Sequence, residues 1–289
     1  MSVDRRNFLK ALGIAGSTLA MGKSFGSPPV SKSDTEFFGI LYDSTLCVGC
    51  QACETACAEK YGFPLPETVP AAGELRETNE ARRVVINCYN TSKGEMYMRR
   101  ACNHCNNPAC ASACLTKAML KTDGGPVIWR EEKCMGCRSC MISCPFDIPK
   151  FEYNSPNPKI NKCRMCYELL LEGEKPVCVE NCPAEALLFG KRRDLIEIAR
   201  TRIYSEPDKY YHEIYGENEV GGTGVLYISS VPFKELGLRT DLGNKSYPEY
   251  NKTFLYSVPL VLILWPAFLL GLHSAFVQGK NKKQKEEES

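Results

Sequence analysis

The cysteines are the residues whose type and spacing point most directly to chemistry. The chain has 289 residues and 17 cysteines, and sixteen of these fall into four sets of four. Sets one and three share the spacing C-x2-C-x2-C-x3-C, whereas set two has x4 and set four x11 in place of the second x2. In chain order the sets are Cys47, Cys50, Cys53 and Cys57; Cys102, Cys105, Cys110 and Cys114; Cys134, Cys137, Cys140 and Cys144; and Cys163, Cys166, Cys178 and Cys182.

The spacing of sets one and three is the one by which bacterial iron–sulfur proteins hold cuboidal clusters. Three thiolates of such a run bind one [4Fe–4S] cluster, and the fourth binds a neighbouring cluster. At four thiolates per cluster, sixteen cysteines predict four [4Fe–4S] clusters, whose iron they bind, and electron transfer as the chemistry. The alternative of another class is a structural module without redox turnover, held by zinc, which also uses C-x2-C pairs, or by disulfides.

The remaining composition excludes several function classes. The 36 basic and 34 acidic residues give a net charge of +2, so no strong field would attract a nucleic acid. Three histidines are too few for a multihaem protein. The sequence also lacks a Gly-rich nucleotide loop, a nucleophile elbow and a His-x-x-His motif. Basic residues lie in or beside the cysteine sets, but the sequence assigns no role to any one of them: His104, Arg138, Lys162 and Arg164.

Two kinds of cysteine set alternate along the chain. Sets one and three open with C-x-G-C, in which Gly49 and Gly136 allow the backbone to curl around a cluster. Sets two and four close with similar tails, 114–119 and 182–187. The alternation predicts a duplicated two-cluster ferredoxin fold in which each unit combines an opening and a closing set. Spacing alone leaves open whether consecutive sets pair.

The N-terminus has the pattern of a twin-arginine export signal. Arg5-Arg6-Asn7-Phe8-Leu9-Lys10 precedes an apolar run from Ala11 to Met21. We predict a signal segment over residues 1–26 and a linker over residues 27–36. This route carries folded proteins, which suits a protein whose clusters are inserted before export.

The C-terminus predicts one transmembrane helix over residues 254–278. Phe254 to Val277 carry no formal charge, and roughly 20 apolar residues span a bilayer. Pro259 and Pro266 are tolerated in a membrane helix. The lysines of the tail, residues 279–289, favour a cytoplasmic C-terminus. We therefore expect an inner-membrane protein whose cluster domain faces the periplasm. His273, near the basic end of the span, is assigned no role.

Between the two ends we predict an α+β fold. A four-cluster domain occupies residues 37–204, and a loop-rich clasp over residues 205–253 leads to the membrane helix. The stretches 83–89 and 95–99 predict a hairpin inserted between sets one and two. Cys88 lies in that hairpin, outside every set, and is assigned no role. Further strands are predicted at 37–42, 186–189 and 225–228, and a helix at 194–204.

Two stretches carry a resemblance to a known family. The opening LYDSTLCVGCQAC, from Leu41 to Cys53, and the later IYGE, from Ile214 to Glu217, resemble the four-cluster iron–sulfur subunit of hydrogenase-2-type [NiFe] hydrogenases, which are periplasmic and membrane-bound. The order of twin-arginine signal, four cysteine sets and single C-terminal span is also similar. The cysteine sets by themselves equally resemble the electron-transfer subunits of formate dehydrogenases and other molybdopterin oxidoreductases.

The resemblance implies ligand sets and partners. In such multicluster subunits set one pairs with set four and set two with set three, while consecutive pairing stays open as the alternative. The implied ligand sets are Cys47, Cys50, Cys53 and Cys182; Cys57, Cys163, Cys166 and Cys178; Cys102, Cys105, Cys110 and Cys144; and Cys114, Cys134, Cys137 and Cys140. The implied function is electron transfer between a hydrogenase catalytic dimer, or a molybdopterin subunit, and a quinone-reactive membrane subunit. The resemblance also implies a non-catalytic subunit, one that performs no bond-making chemistry itself.

Overall fold

The computed structural model describes residues 37–68 and 71–287. The predicted export signal and linker lie outside the described residues. The strands are β1 Phe38–Asp43, β2 Val85–Thr91, β3 Gly94–Arg100, β4 Met119–Lys121, β5 Val127–Trp129, β6 Lys150–Phe151, β7 Ile160–Asn161, β8 Leu187–Lys191 and β9 Val225–Ile228. The α-helices are α1 Ala52–Tyr61, α2 Ala109–Ser112, α3 Ser139–Ile142, α4 Tyr167–Leu171, α5 Val177–Glu180, α6 Arg192–Ser205 and α7 Tyr247–Glu287.

A three-stranded sheet in the order β8-β1-β9 joins segments that are distant in sequence. β1 is antiparallel to β8, with Tyr42 opposite Leu187, and parallel to β9, with Ile40 opposite Val225. The three predicted strands are thereby confirmed. β9 is buried along its whole length, so part of the segment predicted as a clasp forms an edge strand of the central sheet.

Strand pairing also determines which cysteine sets approach each other. β1 ends shortly before Cys47 and β8 begins shortly after Cys182, so their pairing brings set one beside the end of set four. In the same way β4 follows Cys114, β5 precedes Cys134, and the two strands pair with Met119 opposite Trp129. This second pairing brings the end of set two beside set three.

The predicted hairpin and the predicted amphipathic helix are both confirmed. β2 and β3 pair in antiparallel register with Asn90 opposite Glu95, and they pack on the main core through Ile86 and Met98. Helix α6 places Leu195, Ala199 and Ile203 on one face, at the four-residue spacing of a helical stripe, against the central sheet.

Helix α7 is continuous over 41 residues and contains both Pro259 and Pro266. It begins seven residues before the predicted start, and it contacts α2 of set two. Beside this contact, Nδ2 of Asn107 donates to Oγ of Ser246 at 2.7 Å. The stretch Tyr247–Gln278 is long and apolar enough to cross a membrane, with a mean hydropathy of 2.1 in its most apolar window.

Candidate metal centres

The four cysteine sets share one local structure around their third cysteine. In every set this residue is the second residue of a helix, and its side chain is buried: Cys53 in α1, Cys110 in α2, Cys140 in α3 and Cys178 in α5. In set one the fourth cysteine, Cys57, lies one turn further along the same helix face. In the other three sets it is the second residue after the helix ends. Local sequence therefore determines how each set presents its last two thiols.

Opening and closing sets differ in the backbone that precedes these helices. Sets one and three pass through a left-handed glycine, Gly49 with φ 71° and Gly136 with φ 70°, and then a left-handed cap, Gln51 or Arg138. Sets two and four also have a left-handed residue at the glycine position, His104 or Met165, but they enter the helix from an extended proline, Pro108 or Pro176. The two kinds of set predicted from the sequence thus have distinct conformations.

The structure gathers the sixteen thiols into four groups, each combining three cysteines of one set with the last cysteine of another. The groups are A (Cys47, Cys50, Cys53, Cys182), B (Cys57, Cys163, Cys166, Cys178), C (Cys102, Cys105, Cys110, Cys144) and D (Cys114, Cys134, Cys137, Cys140). In group A, all four members line one small pocket. Burial raises the pKa of Cys53 and Cys47, and the nearby Cys182 raises both further.

In the other three groups, electrostatic repulsion between thiolates shows which cysteines lie close together. Burial is the largest cause of the raised pKa of Cys57, Cys105 and Cys140, the last reaching about 11. For each of these thiols, further increases come from the three other members of its own group. Such repulsion requires close approach, because Coulomb energy falls with distance. The three-plus-one grouping is therefore a property of the folded chain.

The groups follow one another in the order A, B, C, D. Cys178 of group B adds to the raised pKa of Cys53, after burial, and Cys140 of group D adds to that of Cys110. Between B and C, the Lys162 ammonium lies 3.7 Å from Sγ of Cys102 and donates to the Cys163 carbonyl at 2.8 Å. The described residues include all seventeen cysteines, and the two exposed ones, Cys50 and Cys137, lie in the terminal groups A and D.

The donor set fits iron–sulfur clusters. All seventeen cysteines are free thiols, which argues against a disulfide scaffold. Across residues 37–68 and 71–287, no three His, Cys, Asp or Glu side chains converge closely enough for one metal ion. Backbone amides also donate to sulfur, from Met165 to Cys163 at 3.3 Å and from Met119 to Cys114 at 3.4 Å, which favours thiolates.

One residue beside these groups is missing from the sequence-based prediction. Arg99, at the end of the hairpin, is 1% exposed, and its Nη2 lies 3.9 Å from Sγ of Cys178. No sequence motif marks it, because only the tertiary contact of the hairpin with set four brings it there. Cys88 is buried in the same hairpin and belongs to none of the four groups. His273 lies on the exposed surface of α7.

Comparison with known proteins gives a consistent result. Residues 94–192 match the family described as a 4Fe-4S dicluster domain. A protein of Nitratidesulfovibrio vulgaris is 41% identical over 299 residues, covering 99% of this chain and 80% of that relative. The hydrogenase-2 operon protein HybA of Escherichia coli O157:H7 is 34% identical over 281 residues, covering 82% of this chain and 84% of the relative. The B subunit of the anaerobic dimethyl sulfoxide reductase of Escherichia coli is 38% identical over 162 residues, covering 54% and 74%.

Proposed function

The chain belongs to the family of iron–sulfur electron-transfer subunits that includes the hydrogenase-2 operon protein HybA, and from this premise we propose that groups A to D bind four [4Fe–4S] clusters. The observation that carries the proposal is the three-plus-one grouping. It is the pattern in which a cysteine run supplies three ligands to one cluster and a fourth to the next. The duplicated two-cluster ferredoxin origin of the domain is part of the same proposal.

In this proposal the protein binds the clusters, arranges them in sequence and buries them from solvent. A bound [4Fe–4S] cluster supplies reversible one-electron chemistry. The protein supplies sixteen thiols, amide donors to sulfur, and a buried path of sites whose two ends carry an exposed cysteine. Cys50 at one end and Cys137 at the other are therefore where redox partners would approach. In this proposal the subunit performs no bond-making catalysis.

The partners are proposed from the extent of the likeness. HybA, a hydrogenase-2 operon protein, is similar over 82% of the chain, whereas the B subunit of dimethyl sulfoxide reductase is similar over 54%. We therefore favour a [NiFe] hydrogenase catalytic dimer over a molybdopterin subunit as the redox partner on one side. On the other side we propose a quinone-reactive membrane subunit.

The location is proposed from the two ends of the chain. Helix α7 is the candidate membrane anchor, and the basic tail after it favours the cytoplasmic side. The twin-arginine pattern supports export of the folded domain. Together they support an inner-membrane subunit whose cluster domain faces the periplasm, with groups C and D in the half that contacts the start of α7.

Ligand substitution tests the cluster sites. We expect the full chain, purified anaerobically in detergent, to contain about sixteen iron atoms and as many acid-labile sulfides, four of each per cluster. Cys88→Ser is the matched control and keeps the full iron content, because Cys88 lies outside the groups. Zinc in place of iron, or a loss of clusters in Cys88→Ser as large as in Cys50→Ser, would contradict the proposal.

Serine variants of the proposed ligands also decide which cysteine sets pair. Cys182→Ser and Cys50→Ser belong to one group and should alter the same reduction step in an EPR-monitored redox titration. Consecutive pairing instead requires Cys182→Ser to alter the step that Cys137→Ser alters. The catalytic partner is identified separately, by capture of the tagged full chain from native membranes in mild detergent. A nickel-containing partner supports the hydrogenase assignment, and a molybdenum-containing partner supports the alternative.

A further inference from the structure

Two cations are buried among the thiol groups without a carboxylate partner. Arg99 and Lys162 are 1% and 2% exposed. Nε and Nη1 of Arg99 have no hydrogen-bond partner, and the ammonium of Lys162 donates to the carbonyls of Val127 and Cys163. Elsewhere in the described chain, buried charge is paired, as where Arg76 meets Glu54 at 2.9 Å.

A buried cation needs a compensating negative charge. A buried charge without an oppositely charged partner is strongly destabilising. An isolated buried guanidinium or ammonium is therefore rare. The nearest negative groups are the thiolates. Nη2 of Arg99 lies 3.9 Å from Sγ of Cys178, and Nζ of Lys162 lies 3.7 Å from Sγ of Cys102.

The two cations act on different groups. Burial lowers the pKa of Arg99, but Cys178 and Cys163 of group B and Cys53 of group A more than offset this and raise it. Lys162 counteracts the rise that burial causes in the pKa of two thiols of group C, Cys110 and Cys144. No described contact links either cation to group D.

We propose that Arg99 and Lys162 are buried counter-charges that raise the reduction potentials of the cluster sites they contact, Arg99 that of group B through Cys178 and Lys162 that of group C through Cys102. This inference rests on the proposed cluster binding. A cluster gains negative charge when it is reduced, so a nearby fixed cation stabilises the reduced form. Loss of the cation therefore lowers the potential.

The alternative is a purely structural role for Arg99. Together with Met98, Asn103 and Phe146, it lines a pocket that is partly open to solvent. A side chain that only fills this space would affect assembly or stability but leave the potentials unchanged. Lys162, which ties two carbonyls together, has an equivalent structural alternative.

The experiment is an EPR-monitored redox titration of the full chain, purified anaerobically in detergent. The variants are Arg99→Gln and Lys162→Gln, with Arg99→Lys and Lys162→Arg as charge-conserving controls. At an effective dielectric constant of about 20, a unit charge within about 6 Å changes a one-electron equilibrium by about tenfold or more. Tenfold corresponds to about 59 mV for one electron.

We expect Arg99→Gln to lower one of the four potentials most and Lys162→Gln to lower a different one most, with at least one step moved by neither. The charge-conserving variants should stay near wild type. Unchanged potentials in loaded Gln variants, or the same shift in the charge-conserving variants, would overturn the proposal. If one Gln variant fails to load, the other decides. If both Gln variants fail to bind clusters, the charge-conserving variants decide. Cluster binding by Arg99→Lys and Lys162→Arg supports the charge role, and failure of these variants to bind clusters overturns it. Wild-type protein without four reducible clusters would instead refute the proposed function.

Discussion

Replacing Gly49 by alanine is expected to destabilise the protein much more than replacing Gly136, although the two residues occupy equivalent places in sets one and three. Both have left-handed backbones, with φ 71° and 70°. A left-handed conformation costs an alanine about 1–2 kcal/mol, and this penalty applies equally to both sites. The sites differ in the space around the added methyl group.

At Gly49 a Cβ would lie 2.4 Å from Cε1 of Tyr97, whereas at Gly136 the nearest atom, Cε2 of Phe151, is 3.9 Å away. Tyr97 cannot simply withdraw, because it lies in β3 and its carbonyl accepts the Tyr42 hydroxyl at 2.9 Å. Overpacking of this kind costs about 1–3 kcal/mol. Gly49→Ala should therefore cost about 2–5 kcal/mol and Gly136→Ala about 1–2 kcal/mol.

The assay follows the bleaching of cluster absorption when the full chain, purified in detergent, is exposed to guanidinium chloride. An additional 1–3 kcal/mol corresponds to bleaching of Gly49→Ala that is faster than that of Gly136→Ala by about fivefold to about a hundredfold. In a Tyr97→Ala background, Gly49→Ala should cost only about 1–2 kcal/mol, as expected of Gly136→Ala, because the clash is removed and the backbone penalty stays. Equal bleaching rates for the two single variants would refute the reasoning, since only Tyr97 distinguishes the sites.

Two further perturbations test other parts of the fold. Glu54, between Cys53 and Cys57, is 3% exposed; it forms two hydrogen bonds with Arg76 and accepts the Ile86 amide at 3.1 Å. Glu54→Gln leaves a partly buried guanidinium unpaired and should cost about 3 kcal/mol, seen as a lower guanidinium midpoint, whereas Glu59→Gln on the exposed face of the same helix should leave the midpoint unchanged. Equal midpoints for the two variants would contradict this account. Ending the chain after Lys252 removes the apolar part of α7 and should release the protein into the soluble fraction, while the full chain resists alkaline carbonate extraction. A full chain that carbonate extracts would count against the membrane anchor.

Local sequence determined the features that depend on near neighbours. The cysteine spacing indicated the type of cofactor, because in each set the third cysteine lies in a helix and the fourth follows four residues later, within that helix or just after its end. The C-x-G-C motif indicated the left-handed turns at Gly49 and Gly136, since glycine tolerates that conformation. The hairpin was predictable from its two β-rich stretches, and α7 from its uncharged length. These signals lie within a few residues of the structures they specify.

The tertiary structure decided which cysteines meet and what charges lie among them. Spacing left two pairings of the sets open; in the folded chain, β1 pairs with β8 and β4 with β5, which brings set one to set four and set two to set three. It also placed β9 in the central sheet and Arg99 beside Cys178, contacts that join residues separated by many positions. Such contacts depend on the burial of strands and side chains in a shared core, and the sequence pattern around a single residue does not contain that information.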